Sequence, residues 1–280
     1  MREAGFIVVG QGIAGSCLAL ELADRGARVE IVDDGWESAA CLVAAGVINP
    51  ITGKRLVKSW RSSEAHPRAR EFYRSLEARL GKRFFHDRKI LQLCRSPEEA
   101  ELWRGRAEDP EYAEFISDPV PPGSFGGLND SFGARFIGRS AWVEPPAVMS
   151  AFREYFLSRG MLRTEKFDFS KLDARARSYA GRAFRGIIFC EGWRAVSAEV
   201  AGRGAGVRPC TATTRPHLGA HPACGALMSF NGFGSKGFAL SPYFARHFAD
   251  WIFGKTALDP EADLSRHIKK FWRPPAAGAA

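Results

Sequence analysis

Residues 10–15 read Gly10-Gln-Gly12-Ile-Ala-Gly15, and this GxGxxG turn constrains the fold more than any other feature of the chain. It follows an apolar run, Phe6-Ile-Val-Val9, suited to a buried parallel strand. It opens a stretch over 13–25 with helical spacing, in which Leu18, Leu20 and Leu22 are set among small residues and Gly26 closes the run. Residues 28–32 then read as a second strand, ending at Asp33. Strand, glycine turn, helix and strand in this order predict a βαβ unit. The first glycine permits the tight turn, the second lets a pyrophosphate approach the backbone, and the third lets the helix pack on the strand. The helix start offers free amides and a positive dipole end to phosphates. Asp33, with Asp34 beside it, stands where a carboxylate accepts from ribose hydroxyls. The motif predicts a dinucleotide without choosing which one.

Downstream, residues 38–60 are small, apolar and punctuated by glycine, and 63–80 carry Phe72, Tyr73 and Leu76 at amphipathic spacing. Residues 84–94 read as extended with a turn at His86-Asp87, and 97–106 as a helix capped by Ser96. A Pro/Gly-rich loop over 118–133 precedes short strands at 135–137 and 141–144 and a helix over 145–159 that starts at proline. Residues 185–190 read as a buried strand that runs into Cys190-Glu191-Gly192. Residues 227–230 form a short strand before Asn231-Gly-Phe-Gly-Ser-Lys-Gly237, and 239–253 a strong helix. A weaker helix is expected over 263–272. The class is α/β.

The formal charge is +9, from 40 basic and 31 acidic side chains, but no long Lys/Arg block occurs. Spread charge fits a solvated surface better than a nucleic-acid footprint. The six cysteines form no CxxC pair and no zinc-like spacing with histidine, and predict reduced thiols in a cytoplasmic protein. No metal site is expected. Glu21 and Asp24 close behind the first strand argue against a signal peptide, and no apolar run is long enough to span a membrane. His217, His221 and His247 show neither metal nor triad spacing.

Four stretches taken together resemble the D-amino-acid-oxidase-like family of FAD-dependent oxidoreductases. They are GQGIAGSCLALELADRGARVEIVD at 10–33, SAACLVAAGVINPITGKRLVKSW at 38–60, GVRPCTATTRPHLG at 206–219 and SFNGFGSKGFALSPYFARHFADW at 229–251. The resemblance implies a Rossmann-like FAD-binding domain, a central parallel sheet flanked by helices, with an antiparallel-sheet substrate domain. On this chain it implies a discontinuous FAD-binding domain over 1–60, 145–193 and 206–272, a reduced substrate domain over 61–144 and a disordered tail over 273–280. It implies FAD contacts from Gly10, Gly12, Ile13, Ala14, Gly15, Asp33 and Asp34 in the first unit. Further contacts would come from Ala45, Gly46 and Val47, from Gly192, and from Gly232, Gly234, Ser235, Lys236 and Gly237. The family often carries a hydroxyl or an arginine near 41 and 42, where this chain has Cys41 and Leu42.

The implied chemistry is hydride transfer to flavin from a carbon bearing an amine, with dioxygen or another acceptor taking the electrons. Arg208 stands where family members meet substrate, and a guanidinium suits a bidentate grip on a carboxylate; Arg215 is the competing arginine. Lys236 is the candidate for positive charge near the ring. Only 194–205 separate Trp193, at the end of the strand that runs through Cys190-Glu191-Gly192, from 206–219, so the substrate domain reads as shortened. Two alternatives to small-molecule oxidation stay open: flavin-dependent modification of the tRNA wobble uridine, with RNA as partner, and FAD binding without turnover.

Overall fold

The computed structural model describes residues 5–35, 39–192 and 210–267. In chain order the first elements are β1 (Gly5–Val9), α1 (Ile13–Asp24), β2 (Val29–Asp33), β3 (Val47–Ile48), β4 (Ile51–Thr52), β5 (Val57–Lys58) and α2 (Ser62–Leu80). Next come β6 (Phe85–Asp87), β7 (Ile90–Leu93), α3 (Pro97–Glu108), β8 (Ala134–Ile137), β9 (Ala141–Val143), α4 (Pro145–Ser158) and β10 (Leu162–Thr164). The chain continues with β11 (Leu172–Asp173), β12 (Ser178–Tyr179), β13 (Arg182–Phe189), β14 (His217–His221), β15 (Cys224–Asn231) and α5 (Gly237–Ile252). Two compact units emerge: residues 1–45 with 145–280, and residues 46–144.

The first unit is built on a largely parallel sheet. β10, β2, β1, β13 and β15 pair in parallel in that order, and β14 adds an antiparallel edge. The N-terminal part of β13 also carries the antiparallel pair β11 and β12. Side chains on β1 alternate: Ile7 and Val9 join Val32, Ile187 and Ala226 in a core shared with Phe167 and Tyr179, whose rings stack at 4.4 Å. Helices α1 and α5 pack together. Arg25 ties them at one end, donating to Glu21 at 2.6 Å on its own helix and to Asp250 at 2.8 Å on α5. This is the doubly wound α/β architecture read from the sequence, with α1 opening at the C-terminal end of β1.

The second unit holds three small antiparallel sheets: β3-β9-β6, β4-β5 and β7-β8. Residues 46–60, expected with the nucleotide domain, supply β3, which pairs with β9, and the β4-β5 hairpin. Its core gathers Ile51, Leu56, Trp103, Tyr112, Phe115 and Ile137. Ser96 caps α3 by accepting from the Glu99 amide at 3.2 Å, as its place before Pro97 predicts. Glu77 of α2 accepts from the amides of Phe84 and Phe85 at 2.7 and 2.8 Å and pairs with Arg74. Burial works against its charge, but these three donors hold its carboxyl below the ordinary carboxylate range. Phe85 stacks on Tyr73 at 5.6 Å, so one face of the β3-β9-β6 sheet lies on α2. The other face carries Val47, Trp142 and His86 in one cross-strand row, with Val47 46% and Trp142 39% exposed.

Three local readings differ from what forms. No turn forms at His86-Asp87, which both lie in β6; the break in 84–94 falls at Arg88-Lys89, where the chain passes from the β6 sheet to the β7 sheet. His86 stays in its strand, where it stacks on Trp142 at 5.2 Å and bonds Glu144 at 2.8 Å. The β11-β12 pair and β14 had no counterpart in the sequence reading; two-residue strands and a His-Leu-Gly-Ala-His run carry little strand pattern. Of the helix expected over 263–272, residues 268–272 lie outside the described residues.

Candidate functional site

The three turn glycines have distinct physical roles. Gly10 adopts φ +101°, and a Cβ there would stand 2.7 Å from the Cys190 carbonyl oxygen. A Cβ on Gly15 would stand 2.0 Å from the Gly10 carbonyl oxygen, so any side chain would push α1 off the turn. Gly12, by contrast, has ordinary extended geometry, with φ −71° and ψ −178°, and a Cβ would meet nothing within 4 Å. Among the described residues its lack of a side chain therefore serves no packing need, and it leaves open space beside the start of α1. That helix start has no side-chain cap and no acidic residue in its first turn. Uncapped amides facing open space suit an anionic pyrophosphate.

Asp33 closes this turn from β2. One carboxylate oxygen accepts from the Gln11 amide at 2.8 Å and the other from the Gly35 amide at 3.0 Å. Each oxygen retains a lone pair for a ribose hydroxyl. Asp34 is exposed, so of the two acids Asp33 is the one built into the turn. The buried Cys41 thiol bonds the backbone of Ile13; burial pushes its pKa up to about 11, so it stays protonated at neutral pH. Cys41 thus meets the start of α1 as a neutral group, where the family often has a hydroxyl. Ala45 is exposed at the end of this segment, while Gly46 and Val47 open the second unit.

The second glycine cluster reaches the same place from the other half of the sheet. Gly192, at φ +62°, follows β13, and its carbonyl accepts from Asn231 Nδ2 at 2.9 Å. Asn231 Oδ1 accepts from the Gly232 amide at 2.8 Å, which orders the loop after β15. A Cβ on Gly232 would meet Thr211 at 2.6 Å, and one on Gly234 would meet the Cys210 sulfur at 3.2 Å. A Cβ on Gly237, at the start of α5, would meet Ile13 at 3.1 Å. The two helix starts, α1 and α5, therefore converge at Ile13 and Gly237, with Ala14 one residue further on. Ser235 is exposed; Lys236 is half-buried, and desolvation, with Arg215 nearby, lowers its pKa.

The other candidates divide clearly. Arg215 is engaged with Glu261 at 3.0 Å. Arg208 lies outside the described residues, as do 193–207. His247 accepts from the Asp259 amide at 2.9 Å and His221 from the Ala223 amide at 3.2 Å, both ordinary structural roles. His217 packs on His267 with ring centroids 4.5 Å apart. Among the described residues no group of His, Cys, Asp and Glu is arranged to hold a metal ion, and no helix is long and apolar enough to cross a membrane.

Sequence reasoning passed over Gln11, Arg153 and Asn231. Gln11 occupies the variable position between the first two glycines, and its buried side chain accepts from Arg153 at 3.0 Å. The signal available for Asn231 was its place immediately before the second glycine loop.

A parallel sheet with a glycine turn at one helix start and a glycine loop at another defines a dinucleotide-binding α/β fold. The family described as FAD dependent oxidoreductase (DAO) matches residues 6–199, and the chain belongs to it. FAD is the cofactor of this family, and the protein is an FAD-dependent oxidoreductase. Solved structures show the same fold. Glycine oxidase from Geobacillus kaustophilus is 19% identical, with a TM-score of 0.73 over 95% of this chain and 99% of that one. Iminodiacetate oxidase from Chelativorans sp. is 20% identical, with a TM-score of 0.70 over 91% and 97%. L-proline dehydrogenase from P. horikoshii is 14% identical, with a TM-score of 0.69 over 95% and 98%.

Proposed function

We propose that the protein oxidises a small-molecule amine or amino acid, with hydride passing from the carbon that bears nitrogen. The observation that carries this reading is the convergence of the α1 and α5 starts at Ile13 and Gly237, each preceded by a glycine-rich turn. Bound FAD supplies the two-electron acceptor. The chain's own residues bind and orient. The α1 cradle holds the pyrophosphate, with Asp33 on the ribose; the glycine loop and the α5 start offer amides to negative charge on the flavin. Lys236 adds a cation at the same helix start, and its lowered pKa eases loss of its proton. The fold neighbours named for glycine, iminodiacetate and proline support an amine as substrate.

Substrate recognition falls to Arg208 and to residues 61–144 as substrate domain. Arg215 already neutralises Glu261, which leaves Arg208 as the better candidate for a substrate carboxylate. Dioxygen or a protein acceptor completes the cycle. An anaerobic titration of the purified yellow protein with amines and amino acids tests the reading: at least one should bleach the flavin, and Arg208→Ala should raise KM for a carboxylate-bearing substrate at least about tenfold. Flavin that no amine bleaches, together with a salt-dependent tRNA complex, would sink it.

A further inference from the structure

The side chain of Gln11 is unexplained by the site as described. It is fully buried, yet among the described residues its amide nitrogen Nε2 has no hydrogen-bond partner. The other end of the same amide is fixed: Oε1 accepts from Arg153 Nη1 at 3.0 Å. Arg153, on α4, also donates from Nη2 to Thr164 Oγ1 at 3.2 Å. Thr164 stands opposite Asp33 in the β10–β2 ladder, and Asp33 in turn accepts from the Gln11 backbone amide at 2.8 Å. Gln11, Asp33, Arg153 and Thr164 therefore form one polar cluster at the carboxyl ends of β2 and β10. In open α/β sheets, ligands bind at that end of the strands.

A buried donor without an acceptor is costly, and native proteins rarely keep one without a use. Here the guanidinium sets the amide's orientation, because only Oε1 can accept from it. Nε2 is thereby committed to donating. The adenosine half of FAD is rich in what such a donor needs: ribose hydroxyls, phosphate oxygens and purine ring nitrogens.

We infer that Gln11 donates from Nε2 to the adenosine half of FAD, and that Arg153 is the positioning residue that presents it. The inference rests on FAD binding to the glycine turn and assigns the residue in that turn that favours an adenine dinucleotide over the bare flavin. Arg153 acts from α4, an element outside the βαβ unit, so adenosine recognition draws on two distant parts of the chain.

The test uses the full chain stripped of flavin. FAD and ADP are titrated separately by calorimetry, and the visible spectrum is recorded at FAD saturation. Gln11→Leu and Arg153→Ala should each weaken FAD and ADP binding about tenfold. The spectrum of the saturated variants should match that of the wild type, because the flavin end is untouched, and Arg153→Lys should recover most of the loss. Should Gln11→Leu fold poorly, Gln11→Glu keeps the acceptor for Arg153 and lacks the donor, and should show the same loss. Unchanged FAD and ADP affinities, or an altered flavin spectrum with ADP affinity intact, would overturn the inference. Wild-type protein that takes up no FAD would instead overturn the cofactor assignment beneath it.

Discussion

Gly12 and Gly15 sit three positions apart in one motif and are glycine for opposite reasons. At Gly15 the constraint is internal: a methyl group would stand 2.0 Å from the Gly10 carbonyl oxygen. At Gly12 the described residues impose no such constraint, since none of them within 4 Å would meet a Cβ and the backbone there is in an ordinary region. Gly15→Ala should therefore cost at least about 3 kcal/mol of stability, read as a lower melting temperature of the apoprotein. Gly12→Ala should melt like the wild type when stripped of flavin, yet lose FAD affinity at least about tenfold. Equal melting temperatures for the two variants, or FAD affinity unchanged in Gly12→Ala, would contradict this division. The steric demands on Gly10 and Gly15 were legible in the sequence because they are local and lie within six consecutive residues. The partner of Gln11 was not, because Arg153 lies 142 positions away and no local pattern announces it.

At the scale of elements, β14 and β15 place His217 opposite Asn231, at the edge of the second glycine loop. Burial, with His267 and Arg266 nearby, lowers the His217 pKa from an ordinary value of 6.5 to about 4. Between these values the unfolded chain holds a proton that the native chain does not. Native stability should thus be complete above about pH 6.5 and decline as pH falls toward 4. His217→Asn should flatten the fall of melting temperature across this window; a slope identical to that of the wild type would argue against His217 as its source. The helices and buried strands around this pair were largely readable from periodicity. β14 was not: its pairing with β15, rather than its composition, makes it a strand. His86 joins β6 for a similar reason, since in the ladder it has Trp142 as a ring partner and Glu144 as a carboxylate partner.

Across the whole molecule, no disulfide joins any of the six cysteines among the described residues: Cys17, Cys41, Cys94 and Cys190 are buried, Cys224 is half-buried and Cys210 is exposed. Burial also pushes the Cys190 thiol up, which holds it protonated and unreactive. Titration of native protein with a thiol reagent should show one fast thiol, Cys210, and all six after denaturation. Two or more thiols missing from the denatured count would reveal a disulfide. The division into units has its own lesson. The resemblance implies that residues 46–60 belong with the FAD-binding domain, and in the structure the ladder from β3 to β9 groups them with the compact unit 46–144. By itself the sequence determined the βαβ unit and the α/β class, because these depend on short-range sterics and regular periodicity, while the family came from the likeness of four whole stretches to a known one. Only the tertiary structure decided which acid of the Asp33-Asp34 pair closes the glycine turn, and that the starts of α1 and α5 meet at Ile13 and Gly237. It also decided that a buried amide in the turn is steered by an arginine from α4. Those contacts join residues far apart in the chain, and they exist only once the sheet has brought its strand ends together.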